Sequence, residues 1–266
     1  RNSSSLIFQS DVSTPWGSVS LISSSGSILD NGSEAIAATV DIFANELRLN
    51  AVTNGKSVGS NSNAIETEIN RLSVAVGATS IVSNSGVYIS EATTISTGQT
   101  SALTVKRVGV DGSTLTNATD AAQSDLLVVG NLVLQTAAGS ILVGEGDTDA
   151  GTLGIQVTNG NMLLKAAGSG ADIRIDADVI LTNGLLSLNA SQDILQNADV
   201  TSQASGKTID YLAGRNITMS QDNANAIAST RAITSNGGGI SLEATSGTIT
   251  IETISAGSDY VRLVAG

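Results

Sequence analysis

The chain has 266 residues, a net charge of −12, 2% aromatic residues, a single Pro, and neither Cys nor His. Those absences exclude disulfides, thiol nucleophiles, thiolate metal sites and the commonest general base, and the negative charge disfavours nucleic acid and anionic membrane as partners. Val, Ile, Leu and Ala must therefore fill the interior, which suits a core only a few side chains across. In chain order, the first strand signal is Gly17–Ile22, where Val19 and Leu21 alternate with Ser18 and Ser20 before the turn Asp30-Asn31-Gly32. Residues 39–50 alternate again, with Val40, Ile42, Leu47 and Leu49 on one face. The polar stretch 54–71 breaks the rhythm; Ile65, Ile69 and Leu72 have a weak helical spacing, so a short helix or an excursion loop is expected there. Strands resume at 72–76, 80–82, 86–90 and 102–108, and 109–124 reads as a second polar excursion.

From Asp125 onward a phrase recurs: a Gly or Asn, a short alternating apolar run, a small residue, then Gly or Asp before Ile or Leu. It is clearest between Gly130 and Thr201, as in Leu186-Ser187-Leu188 followed by Asp193-Ile194-Leu195. Phrases start near Gly130, Gly160, Gly184, Gly214, Gly238 and Ser258. A spacing of roughly 20 to 30 residues is in the range of repeat architectures, and its irregularity suits β-coils better than rigid helical repeats. No helical segment separates the strands, which disfavours βαβ folds. The expected fold is all-β: a right-handed parallel β-helix over 1–266, irregular over 1–124 and regular over 125–266. Roughly ten coils about 4.8 Å apart would give a rod on the order of 50 Å. Asn31, Asn54, Asn159 and Asn183, each before Gly, suit left-handed turn positions.

The phrases GSVSLISSSGSILDNG, NAIETEINRLSVAVG, GLLSLNASQDILQNADVTSQ, GRNITMSQD and GGGISLEATSGTITIE resemble the repeats of giant bacterial surface proteins of the filamentous-haemagglutinin type. The resemblance covers most of the chain. It implies a β-helical stalk, export to the cell surface, and a role in adhesion, aggregation or matrix building, and it brings no catalytic residues with it.

Four local features compete for a chemical role. Glu145, Asp147 and Asp149 alternate in the Gly-rich turn 144–151 and offer hard oxygen ligands for Ca²⁺; the alternative is a solvated acidic turn. Asp172, Arg174, Asp176 and Asp178 form the outward set of 171–179. Paired carboxylates serve glycoside cleavage, but the inward alternation of Ile173, Ile175, Ala177 and Val179 accounts for their placement. Gly237-Gly238-Gly239 lacks the Lys-Ser/Thr of a phosphate loop and reads as a turn. The Asn-x-Ser/Thr triplets at Asn2, Asn31, Asn117, Asn189 and Asn216 are expected by chance in such a composition.

The chain opens and closes in mid-phrase, no signal peptide starts at Arg1 and no apolar run reaches ~20 residues, so it reads as a mature or excised piece of something longer. The expected function is structural and non-enzymatic: a stalk, adhesin or fibre segment, extracellular or at the bacterial surface. Its partners would be copies of itself end to end, further repeats, or a surface glycan or protein receptor. The alternatives are a polysaccharide lyase or depolymerase, and an autotransporter passenger that binds through 54–71 and 109–124.

Overall fold

The computed structural model describes residues 16–31, 40–77, 85–146, 152–219 and 231–266, together with the backbone of Leu6–Ile7. Among these there are 26 strands and no helix. All but one pair run parallel, each strand bonding to its counterparts one coil before and one coil after, so the chain winds as a right-handed parallel β-helix. From Gly86 onward most coils have three sides. One coil, for example, is built of Met162–Ala166, Ile173–Ile175 and Asp178–Leu181, and the next of Leu186–Ala190, Ile194–Gln196 and Val200–Ser202.

Alternation places the same inward position of every coil in a single row. On the first side the row is Ile28, Val58, Val87, Leu132, Met162, Leu186, Ile209, Ile240 and Val261. On the third it is Leu21, Leu49, Val74, Leu126, Ile155, Val179, Val200, Ile233 and Ile254. Nine residues per row mean nine stacked levels in these rows among the described residues, and Leu6–Ile7, paired with Ile42–Phe43, adds part of one more, close to the roughly ten expected; at about 4.8 Å per coil the nine levels span about 40 Å. Between their ends both rows are at most 2% exposed. This is the narrow aliphatic core that the low aromatic content requires.

The stretch 54–71 is neither helix nor excursion. It carries the strand Ser57–Val58, a Ser60–Asn63 turn and most of the strand Ile65–Val76. Ile65, Thr67 and Ile69 are buried on one side of a corner, and Leu72, Val74 and Val76 beyond it, so a period of two, shifted once at the corner, wins over the weak helical spacing. The second excursion is the outer half of an antiparallel hairpin, Leu103–Val108 with Leu115–Asp120, which stands outside the coil stack. Of the four Asn-Gly positions, Asn159 has a positive φ of 56°. At Asn54 the left-handed residue is instead the following Gly55, and Asp125 takes such a conformation (φ 63°) without a Gly signal. The phrase-opening glycines serve close approach: a Cβ on Gly184 would lie 1.7 Å from the Gly160 carbonyl oxygen, and one on Gly160 1.9 Å from that of Gly130.

Candidate interaction surfaces

The outward polar residues at the corners are organised by backbone satisfaction. A strand of a coil stack sends alternate N–H groups to the coil before and the coil after, and at corners the carbonyl partners run out. Here side-chain oxygens replace them. Thr94 Oγ1 accepts from Ser140 N (3.1 Å), Ser140 Oγ from Asp172 N (3.0 Å) and Asp172 Oδ1 from Asp193 N (2.9 Å). Asp193 Oδ1 then accepts from Asn216 N (2.9 Å), and Asn216 Oδ1 from Thr248 N (2.9 Å). A second ladder runs from Asp178 through Asp199 to Ala232 N, and a third from Asn131 through Asn161 to Leu185 N. In every rung the oxygen belongs to the earlier coil and the N–H to the later one.

This accounts for the charged set at 171–179. Ile173, Ile175, Ala177 and Val179 are buried as the alternation requires, but the strand stops at Ile175 and a new one begins at Asp178, so the four charged residues span a corner and not one face. Asp172 and Asp178 are ladder residues. Asp176 is buried, receives Arg174 Nε at 2.9 Å and Asn197 Nδ2 at 2.7 Å, and is ion-paired to Arg174 at 2.6 Å. Asp193, held by Arg215 and by Asn216 N, has its carboxyl kept below the usual range, the Arg215 hydrogen bond being the main cause. Each of these acids has an assigned structural task.

Of the three suggested Ca²⁺ ligands, Glu145 is half-buried just after the strand Ile141–Val143, while Asp147 and Asp149 lie outside the described residues. A different acidic group is assembled by stacking. Carboxylate oxygens of Asp30 and Asp41, on one coil, and of Glu66, on the next, lie within 4.8 Å of one another. Asn63 Nδ2 donates to Asp30 at 2.8 Å and Glu66 N to Asp41 at 3.3 Å. Three carboxylates are fewer than the six to eight oxygens Ca²⁺ takes. No sequence spacing announces this group, because it joins two separated positions of one coil to a residue of the next.

Buried polar residues interrupt the apolar rows, Glu91 and Tyr211 among them. Glu91 faces inward at a corner and accepts from Thr67 Oγ1 (2.7 Å), Ile69 N (3.2 Å), Thr93 N (3.0 Å) and Thr93 Oγ1 (3.1 Å). Burial pushes its carboxyl upward, and these hydrogen bonds oppose that shift. Tyr211 occupies a row position otherwise held by Leu134, Leu164, Leu188 and Leu242, fully buried, and burial raises its phenol well above the ordinary value. Its hydroxyl donates to Gln196 Oε1 at 2.9 Å. Tyr260 is exposed, against Gly239, and Trp16 packs on Phe43 with ring centroids 5.5 Å apart.

Three surfaces remain open to other molecules. A groove of about 440 Å³ runs over the first side, floored by Val133 and Leu163 and edged by Asn61, Asn131, Asn161 and Leu185. The hairpin exposes Val108, Val110 and Leu115 near its tip and is rooted by Thr100, Ser101 and Gln123: Ser101 N donates to Glu46 (2.9 Å), and Gln123 Nε2 to Leu49 O (3.1 Å). Its first strand lies against Ser18–Ile22 of the opening coil. The third surface is the last coil. Val261 and Leu263 continue rows whose earlier members are buried, yet they are 44% and 45% exposed, and Ile251 beside them is 48% exposed. No protein family matches the chain, and no characterised protein or solved structure does either. No helix among the described residues is long and apolar enough to cross a membrane.

Proposed function

We propose that this chain is a structural segment of a secreted bacterial surface or matrix protein, part of a long β-helical stalk or fibre that lengthens by adding coils end to end. The observation that carries the reading is the last coil. Its inward side chains stand in line with the core rows, and the outer edges of Ile249–Thr250, Thr253–Ser255 and Val261–Ala265 have no strand partner among the described residues. An open parallel edge is a template for another strand, and covering it buries apolar surface at roughly 25 cal/mol per Å². The role is mechanical and adhesive, without a catalytic step: the corner acids hold backbone N–H groups and arginines. The test is sedimentation and electron microscopy over a range of concentration. Rods should lengthen with concentration, and Leu263→Lys, which places a charge on the open row, should hold them at unit length. Wild-type rods of one unit length at high concentration would refute the reading.

A second reading is favoured by one feature, the hairpin 103–120, which sets apolar residues at a projecting tip. In that reading the stalk carries a binding loop for a cell-surface glycan or protein. Loss of cell binding on deleting the hairpin, with the rod intact, would support it; full binding would count against it.

A further inference from the structure

Tyr88 points outward, since Val87 and Ile89 on either side of it lie in the core. Outward residues of the following coils on this side are half-buried or exposed, yet Tyr88 is 5% exposed. It stands between the groove of about 440 Å³ and a second hollow of about 270 Å³ that the turn Ser60–Asn63 lines on its other side. Asn131 Nδ2 donates to Tyr88 Oη at 3.2 Å. The phenol oxygen is thereby used as an acceptor, and its own proton has no acceptor among the described residues. Buried donors are nearly always met, so this proton is left for whatever fills the groove. The rest of the lining is arranged in the same sense. Tyr88, Val133 and Leu163 pair in turn as one outward column, about 10 Å long at the coil spacing, with Val133 and Leu163 half-buried as an apolar floor. Asn161 spends its Oδ1 on Leu185 N (2.9 Å), and its Nδ2 has no partner among the described residues. Asn61 adds an exposed amide from the turn.

These features select a class of ligand. The volume falls within the roughly 300–1,000 Å³ of small-molecule sites, which combine apolar walls with a few placed polar groups. No lining residue is charged, in a protein of net charge −12, so an anion finds no cation there and a cation no carboxylate. An extended peptide is disfavoured by the pairing. Peptides add to sheets through free strand edges, whereas Gly86–Glu91, Asn131–Thr136 and Met162–Ala166 are each bonded to strands on both sides. What fits is an uncharged molecule with an apolar face and many acceptor oxygens. We propose that this groove binds a neutral oligosaccharide, a C–H face of the sugar lying over Val133 and Leu163 and its oxygens accepting from Tyr88 Oη and Asn161 Nδ2. None of the lining residues belongs to the hairpin or to the last coil. The site therefore goes beyond the mechanical reading and does not depend on it.

The experiment titrates the whole chain with neutral tetrasaccharides of glucose, mannose and galactose, followed by calorimetry and by saturation-transfer NMR at millimolar sugar. Tetragalacturonate and the capped peptide acetyl-Val-Thr-Val-Thr-amide are the controls. At least one neutral sugar should bind, and neither control should bind as well. Tyr88→Phe removes only the hydroxyl. Asn161→Asp keeps the oxygen that Leu185 N needs and removes the free donor. Each should weaken binding about twofold to tenfold, the worth of one neutral hydrogen bond. Leu163→Lys, which charges the floor without touching a core row, should weaken it more than tenfold. Far-UV circular dichroism checks that each variant keeps the coil, and the two conservative variants guard against a misfolded Leu163→Lys. Replacing the hairpin 103–120 by a short turn should leave binding unchanged. The proposal is overturned if no neutral tetrasaccharide binds, if a control binds as tightly, if all three groove variants bind like wild type, or if the hairpin replacement alone abolishes binding. Rod length in electron microscopy reports separately on the end-to-end reading, which stands or falls without the groove.

Discussion

Tyr211 and Gln196 form a hydrogen-bonded pair inside an aliphatic core, and their energetics test whether buried polar satisfaction governs this stack. Both are 0% exposed. The Tyr211 hydroxyl donates to Gln196 Oε1 at 2.9 Å, and Gln196 Nε2 donates to the carbonyls of Ala198 (2.9 Å) and Ala232 (3.1 Å). Tyr211→Phe removes one donor and leaves a buried amide oxygen unpaired. An unsatisfied buried group costs about 1–3 kcal/mol, so a loss of about 1–2 kcal/mol is expected. Gln196→Met fills the site with the residue found one coil later at Met219, but it strands the hydroxyl and two carbonyls; at roughly 1 kcal/mol or more for each group the loss is about 3–5 kcal/mol. In the double variant the hydroxyl is gone and only the carbonyls are unmet. Its loss should therefore fall short of the sum of the two single losses by about 2–3 kcal/mol, the cost of the amide oxygen and the hydroxyl together, well outside the ~0.5 kcal/mol within which independent sites add. Repeat stacks respond locally, so the assay is hydrogen exchange at the amides of 194–219 under native conditions, supported by urea melts. Additive losses, or a Tyr211→Phe variant as protected as wild type, would refute the reasoning.

Three further outcomes follow from the same geometry. Gly184→Ala puts a Cβ 1.7 Å from the Gly160 oxygen; relieving it parts two coils, so a loss of at least about 1–3 kcal/mol is expected, read as a lowered melting temperature. The Asp193 carboxyl is held below its ordinary value by Arg215 and Asn216, so the folded form binds its proton more weakly than the unfolded form. Its contribution is present above the ordinary value of about 3.9 and is lost as pH falls through the folded value; the stability gap between wild type and Asp193→Asn should narrow as pH drops below about 4 and be constant near neutrality. Glu91, shifted upward, has the opposite slope, its contribution falling as pH rises from about 4 through its folded value. Replacing 102–121 by a short Gly-Ser turn should leave the coil spectrum and melting temperature within a few degrees of wild type, because an isolated two-stranded hairpin adds little stability of its own; loss of the coil signal would show that the hairpin is part of the core.

How much of this was legible in the sequence depends on the range of the cause. Alternation is a local signal, and it located Val19 and Leu21, Leu47 and Leu49, and the regular strands after Asp125 on their buried faces. The glycines that open phrases were legible as punctuation, although the need at Gly160 and Gly184 is closeness between coils and not turn conformation. What failed was the reading of polar stretches. The segment 54–71 looks polar because the outward half of its strand carries Glu66, Glu68 and Asn70, and period two breaks at the corner after Ile69. Glu91 is invisible as an inward residue, since its partners Thr67 and Ile69 lie a coil away. The cluster of Asp30, Asp41 and Glu66 joins two residues of one coil to one of the next, a juxtaposition that no spacing rule supplies. Tyr211 is the intermediate case: its place in the alternation marks it as inward, but its partner Gln196 is identifiable only once both are known to face the same interior.

The corner ladders bear on why so variable a sequence keeps one architecture. Coil lengths along the first side differ: Leu132 to Met162 is 30 residues and Leu186 to Ile209 is 23, yet both pairs are in register. Apolar rows alone do not fix register, since Leu, Ile and Val slide over one another at little cost and a slip of two residues restores the inward pattern. A side-chain oxygen that must meet one particular N–H of the next coil does not tolerate that slip. Ser140, Asp172, Asp193 and Asn216 each do so immediately before an inward Ile, so polar and apolar signals lock the same register at the same corner. Loops elsewhere in the coil are then free to lengthen, as the insertion of the hairpin between Thr97 and Leu126 demonstrates. The identity of the ladder residue matters less than its oxygen: Thr, Ser, Asp and Asn all serve. Asn216→Ala, which removes the last such oxygen before the open coil, should therefore loosen Thr248 and the strand Ile249–Thr250 and leave the earlier coils as protected as before. Protection lost evenly along the rod would mean that the rows alone hold the register.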